Sequence, residues 1–221
     1  MNNRISDEFH IFYENNRIWE NNSWLGIPMW KLPMDAFVLQ EIIFRNKPEV
    51  IIETGTGKGG SAIFYASIFE LMGSDGKVFS IDSMPDFEDL LLSSEIARNK
   101  KILDRIEFVF GDSISDSAIS LLRQESMNLK TMVVLDSWHS EEHVYKELEL
   151  YSKLVSINQY LVVEDTHCSS TGNPVKWKFR DQGPSAAVDR FLKKNKNFVV
   201  DYECEKHIMT FNPGSWMKRV G

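Results

Sequence analysis

Acidic residues fall at one recurrent kind of place in this chain. Each of five short apolar runs ends on a carboxylate: Val50-Ile-Ile-Glu53, Lys77 to Asp82, Arg105 to Asp112, Thr131 to Asp136, and Gln159 to Glu164-Asp165. Runs of this length, rich in β-branched residues, predict strands. If the fourth and fifth runs are neighbouring strands, about 4.8 Å apart, Asp136, Glu164 and Asp165 meet at one rim. Carboxylates crowded in this way repel one another and raise each other's pKa. A divalent cation relieves that repulsion, and an all-oxygen site with room for water suits Mg²⁺. A second reading stays open, in which Glu164 and Asp165 cap the following loop and only Asp136 faces a ligand. His139, three residues beyond Asp136, titrates near neutrality and could take a proton from a hydroxyl held by the same metal. Its competing reading is a hydrogen-bonding spacer in a loop. His143 and His167 are weaker candidates for the same work, and His10 and His207 read as structural.

The first run leads into Glu53-Thr-Gly55-Thr-Gly57-Lys-Gly59-Gly60-Ser61, after which apolar residues resume. A strand, a tight glycine turn and a helix start let backbone N–H groups approach a ligand with no Cβ in the way. The pattern satisfies the dinucleotide fingerprint G-x-G-x-x-G. It also contains Glu53-x-Gly55-x-x-x-Gly59, which resembles the first motif of class I S-adenosylmethionine-dependent methyltransferases. That resemblance implies that Glu53 anchors the methionine end of the cofactor, while Gly55, Thr56, Gly57, Gly59 and Ser61 form its cradle. Asp82 lies about 20 residues beyond Gly60, where an acid accepts hydrogen bonds from a ribose diol in nicotinamide enzymes and methyltransferases alike. Asp112 and Ser113, in Phe110-Gly-Asp-Ser113, resemble the methyltransferase motif beside the adenine, and Asp136 is expected to face the cofactor as well as the metal.

These residues need a scaffold that gathers strand ends. Five strands alternate with helical segments, expected over 35–45, 61–72, 86–100, 114–125, 140–154 and 185–194, and the strands are continuous apolar runs. This predicts an α/β fold with one doubly wound, mostly parallel sheet buried on both faces. Residues 198–202 and 207–211 are expected to close it as a C-terminal antiparallel hairpin. In such sheets the ligand lies beyond the carboxyl ends of the strands, where strand order reverses. Residues 34–221 form the cofactor-binding domain. Residues 1–33, polar and rich in aromatics, read either as an arm or lid, able to pack on a partner subunit, or as a helix covering the sheet edge.

Composition narrows the partners. At 221 residues the chain suffices for one α/β domain and is short for the two that a dehydrogenase needs. A formal charge of -7 argues against a nucleic-acid partner. Cys168 and Cys204 stand far apart without metal-ligand spacing, so two free thiols in a reducing compartment are expected. No apolar run approaches the roughly 18 residues of a membrane span, and the N-terminus lacks a signal-peptide core. A cytoplasmic protein is expected.

Taken together, Ile51-Ile-Glu-Thr-Gly-Thr-Gly-Lys-Gly-Gly-Ser61, Leu135-Asp-Ser-Trp-His-Ser-Glu-Glu-His143, Leu161-Val-Val-Glu-Asp-Thr166, Gly183-Pro-Ser-Ala-Ala-Val188 and Phe211-Asn-Pro-Gly214 resemble the cephalosporin hydroxylase family and its rhamnosyl O-methyltransferase relatives. The resemblance runs from about Trp24 to Met217. It implies a class I methyltransferase fold, S-adenosylmethionine, Mg²⁺ at Asp136, Glu164 and Asp165, a small hydroxylated acceptor such as a sugar or natural product, and a tendency to form homo-oligomers. No haem, flavin or iron-triad signature supplies an oxidant, so methyl transfer is expected rather than hydroxylation. Residues 168–181 depart from the family pattern, which leaves the acceptor unassigned. Two rivals remain: a non-catalytic S-adenosylmethionine-binding subunit of a two-component system, and a nicotinamide-dependent oxidoreductase.

Overall fold

A computed structural model of the chain describes residues 4–84, 86–169 and 183–221. The N-terminal stretch forms helix α1 (Arg4–Asn15), a 3-10 turn (Ile18–Asn21) and a two-stranded hairpin, β1 (Ser23–Trp24) and β2 (Ile27–Pro28). Its turn residues Leu25 and Gly26 have φ of 50° and 84°, the two positive angles of a type I′ hairpin. Helix α2 (Pro33–Asn46) follows, with proline in its first turn, where no N–H is needed.

The body continues as β3 (Val50–Thr54), α3 (Gly60–Leu71), β4 (Lys77–Asp82), α4 (Glu88–Ser93), α5 (Lys100–Leu103), β5 (Ile106–Phe110), α6 (Asp116–Glu125), β6 (Thr131–Leu135), α7 (Glu141–Tyr151), β7 (Tyr160–Val163), α8 (Gly183–Lys194), β8 (Phe198–Val200) and β9 (Trp216–Arg219). Among the described residues the main sheet has seven strands in the order β5-β4-β3-β6-β7-β9-β8. The β3–β4, β4–β5, β3–β6 and β6–β7 pairs are parallel, whereas β9 runs antiparallel to both β7 and β8. This is the doubly wound, mostly parallel sheet expected. Its order reverses between β3 and β6.

Every residue of β3, β6 and β7 is buried, which explains their unbroken apolar runs. Helices α2 and α3 bring one core to one face, with Ile43, Phe64 and Tyr65; α6, α7 and α8 bring another, with Leu122, Leu148 and Phe191. Edge strand β5 is only partly covered. Helix α3 is buried almost all round, because β1 lies over its outer side, with Trp24 Nε1 donating to Ser67 Oγ at 2.9 Å.

Two expected elements differ. Residues 86–100 do not form one helix: α4 ends at Ser93, and a 3-10 turn (Glu95–Arg98) precedes α5. The Ser93 and Ser94 hydroxyls donate to the carbonyls of Leu90 and Leu91, the competition that makes serine a poor helix-interior residue. The second strand of the closing hairpin is Trp216–Arg219, not 207–211. Ile208 has φ 68°, which cannot continue a ladder, and the fully buried Trp216 supplies the apolar face instead.

A small third core of Tyr13, Leu32 and Phe211 fastens α1 to the body. His10 is buried beside it, its ring 4.8 Å from that of His167. Burial, reinforced by the charge of His167, lowers the His10 pKa from 6.5 to about 4. Below pH 6.5 the unfolded chain takes up a proton that folded His10 refuses, so stability falls as pH drops from there toward 4. Between pH 7.5 and 5 this costs roughly 2 kcal/mol. Denaturant unfolding at both pH values should show the wild type losing that much more than His10→Phe. Equal losses would remove His10 as the cause.

Candidate active site

The site begins where β3 ends. Gly55 has φ +85°, and a Cβ placed on it would lie 1.9 Å from the Asp136 carbonyl oxygen. Only glycine lets the tips of β3 and β6 come this close, and the Asp136 N–H donates to the Thr54 carbonyl at 3.0 Å. The Gly57 N–H donates to Asp82 Oδ2 at 3.0 Å, which ties the turn to the end of β4. A Cβ on Gly60 would meet the Pro28 carbonyl oxygen at 2.2 Å. The N-terminal hairpin therefore rests on the first turn of α3. Beneath the turn, the Thr56, Ser80 and Glu53 side chains form a relay at 2.8 Å per step. Glu53 is fully buried, and its Oε1 has no hydrogen-bond partner among the described residues. Burial raises its pKa to about 7, against the pull of Lys31.

The acid rim lies beside this cradle. Asp165 has φ 59°, and its N–H donates to the buried Asn212 Oδ1 at 3.0 Å. Adjacent residues of an extended strand face opposite sides. The left-handed step breaks the extension, and both Glu164 and Asp165 reach the surroundings of Asp136. Lys31 Nζ is 2.9 Å from Asp136 Oδ2 and 3.0 Å from Glu164 Oε1. His139 stands on the other side, Nε2 3.4 Å from Asp136 Oδ1 and Nδ1 3.6 Å from Asp165 Oδ2. Burial alone would lower the His139 pKa; the bond to Asp136 and the charges of Asp165 and Asp136 outweigh it and raise the value to about 9. Burial raises Glu164 and Asp165. For Asp136 the same burial is overcome by Lys31 and His139, and its pKa falls.

A cavity of about 440 Å³ opens between these parts. Gly55, Thr56, Gly57 and Ser61 line it from the turn, Asp82 from β4, and Asp112 and Ser113 from beyond β5. Asp136, His139 and Asp165 line it from the rim, and Trp19, Trp30 and Lys31 from the N-terminal stretch. Glu53, Gly59 and Glu164 stand behind this wall rather than on it. His143 braces the floor, its Nε2 3.2 Å from Ser113 Oγ and 3.1 Å from Ser137 Oγ. Ser137 in turn donates to the buried Glu147 at 2.7 Å. His167 is held between the Phe211 carbonyl at 2.9 Å and Glu14 Oε1 at 3.1 Å. His207 is exposed in a turn.

The donor set suits a divalent cation. Ligand atoms of Asp136, His139 and Asp165 lie within 4.8 Å of one another, and Glu164 joins them through Lys31. The carboxylates Glu53, Asp136, Glu164 and Asp165 outnumber the cations Lys31 and His139, so the rim favours additional positive charge. A sulfonium cofactor fits for the same reason, beside a turn shaped to admit a ligand and above an acid with one oxygen free of partners. Sequence reasoning did not find Lys31, Glu14 or Asn212. Lys31 is a single lysine in an aromatic stretch with no periodic signal, and its partners are 105 and 133 residues away. The departing loop 168–181 lies mostly outside the described residues.

Comparison with known proteins gives concordant matches. The family model "Rhamnosyl O-methyltransferase/CmcI" matches residues 16–220. The rhamnosyl O-methyltransferase of Mycobacterium tuberculosis is 32% identical over 203 residues, covering 90% of this chain and 76% of its own. That of Mycobacterium leprae is 32% identical over 201 residues, covering 90% and 81%. A solved structure of CmcI with magnesium and S-adenosylmethionine superposes with TM-score 0.66 at 18% identity, covering 91% of this chain and 78% of its own. That last likeness speaks for the fold.

The two turn glycines separate steric need from backbone need. Gly55→Ala combines the left-handed penalty with a backbone collision and should cost about 2–5 kcal/mol. Gly57→Ala, at φ +51° with nothing within 4 Å of the added methyl, should cost only about 1–2 kcal/mol. Thermal unfolding of the two variants measures the difference; equal costs would mean that the β3–β6 approach is not tight.

Proposed function

The chain belongs to the rhamnosyl O-methyltransferase/CmcI family of S-adenosylmethionine-dependent O-methyltransferases, and from that premise we propose that it methylates a hydroxyl of a sugar or hydroxylated natural product with the help of Mg²⁺. One observation carries the reading. Asp136 faces both halves of the site, its carbonyl against Gly55 of the cradle and its carboxylate against His139 and Lys31. This supports a donor site and an acceptor site held side by side, the proximity that transfer between them needs.

In this scheme Glu53 and the Gly55–Ser61 turn receive the methionine end of the cofactor. Asp82 takes the ribose, and Asp112 with Ser113 the adenine. Asp136, Glu164 and Asp165 hold the metal. When bound, S-adenosylmethionine supplies an electrophilic methyl group and Mg²⁺ lowers the pKa of the acceptor hydroxyl. His139 takes the proton of that hydroxyl. Its ring must be neutral to do so, and the two carboxylates that hold it charged are the ones a cation engages. Residues 4–33 act as an arm that completes the cavity, with Trp19 and Trp30 offering flat faces for a sugar ring. The acceptor itself is a small molecule, and the family's sugar chemistry supports rhamnose-type hydroxyls as the first to test. No helix among the described residues is long and apolar enough to cross a membrane.

Methyl transfer to rhamnosides and other polyols, assayed with radiolabelled S-adenosylmethionine, should stop in EDTA and return with Mg²⁺. Transfer unaffected by chelation would end the metal's part in the scheme. His139→Ala should lower turnover about 10²–10⁴-fold and leave S-adenosylhomocysteine affinity nearly unchanged by calorimetry. Undiminished turnover would remove His139 as base. Binding of a nicotinamide dinucleotide in place of S-adenosylhomocysteine would overturn the whole reading.

A further inference from the structure

The most buried cation of the site comes from outside the strand ends. Lys31 is 3% exposed, and its carbonyl is fixed by Asn22 Nδ2 at 2.9 Å. Leu32, buried to 1%, packs with Tyr13 and Phe211 just beyond it. The side chain is thus delivered from a clamped backbone into the gap between Asp136 and Glu164, with nearly equal contacts to both. An ammonium here neutralises the very oxygens that a divalent ion would use. It leaves Asp136 Oδ1 and Asp165 facing His139 and the cavity, while Glu164 is drawn behind the wall.

We propose that Lys31 is a resident counter-ion that competes with the divalent cation for Asp136 and Glu164, so that the N-terminal arm sets how tightly the metal is held. The inference rests on the magnesium reading above and adds a positioning residue to it. Two like charges a few ångströms apart in a dry site repel strongly. Each metal-binding event must therefore work against the ammonium or displace it from at least one carboxylate. A metal held in this way exchanges readily, and docking of the arm and loading of the metal oppose each other. A merely structural lysine makes the contrary prediction, because its loss would loosen the carboxylates and weaken the metal.

The test is titration of the full chain with Mn²⁺, followed by electron paramagnetic resonance of the free ion, beside calorimetry of S-adenosylhomocysteine without metal. Lys31→Met and Lys31→Gln should bind Mn²⁺ about tenfold or more tightly than wild type. Lys31→Arg, which keeps the charge, should stay near the wild-type value, and S-adenosylhomocysteine binding checks that each variant keeps a folded cofactor site. Lys31→Met leaves Glu164 without a cation and Asp136 with His139 alone, and is the variant at risk of unfolding, whereas the Gln amide can still donate to both. For either neutral variant the rise in melting temperature on adding Mn²⁺ should exceed that of wild type. Unchanged or weaker Mn²⁺ binding in both neutral variants overturns the counter-ion role, as does failure of both to fold with Mn²⁺ present. Absence of Mn²⁺ binding in the wild type and all variants overturns the magnesium reading instead.

Discussion

The structure turns on one close approach, that of Gly55 to the carbonyl of Asp136. β3 and β6 are adjacent in the sheet but far apart in sequence, and strand order reverses between them. At such a reversal the flanking connections part to opposite faces and leave a crevice above the strand ends. Here the crevice is narrowed until only a hydrogen atom fits where a side chain would stand. The glycine turn on one side and the Asp136–His139 loop on the other are thereby held in a fixed relation. Asp136 and His139 inherit their place beside the turn from that contact.

Confining so many acids within one partly buried rim has an electrostatic cost, which the fold meets with local cations. Lys31 takes the inner pair and His139 the outer pair. Glu53, fully buried, is pushed up to about 7 despite the pull of Lys31 and the hydroxyls beside it. A buried carboxylate without a charge partner tends to protonate. Asp136, between both cations, is lowered, whereas burial raises Glu164 and Asp165, with one cation each beside them, and Glu53.

Much of this was legible in the sequence. The apolar runs that end in acids marked the five parallel strands; in β3, β6 and β7, buried on both faces, there is no room for polar alternation. The glycine cluster and Asp82 marked the cradle, because local spacing carries that signal. The rest depended on contacts that no local pattern encodes. Lys31 stands alone among aromatic residues, and only the folded path of the N-terminal stretch brings it to the rim. The left-handed Asp165 is enforced by Asn212, from a turn that looked like the end of a strand. β9 was missed because its four residues alternate weakly and follow a glycine turn, while the nearby 207–211 run had the better strand composition.

The contact between Lys31 and Glu164 spans 133 residues, and this has a bearing on how the chain assembles. Contacts so distant form slowly, because a long loop must close before they yield anything. Lys31 must therefore wait for β7 before it finds its second carboxylate. The seat of β1 on α3 spans only 43 residues and does not depend on β7. Closure of the rim around its buried ammonium belongs to the long-range part of folding, in which distant segments must meet.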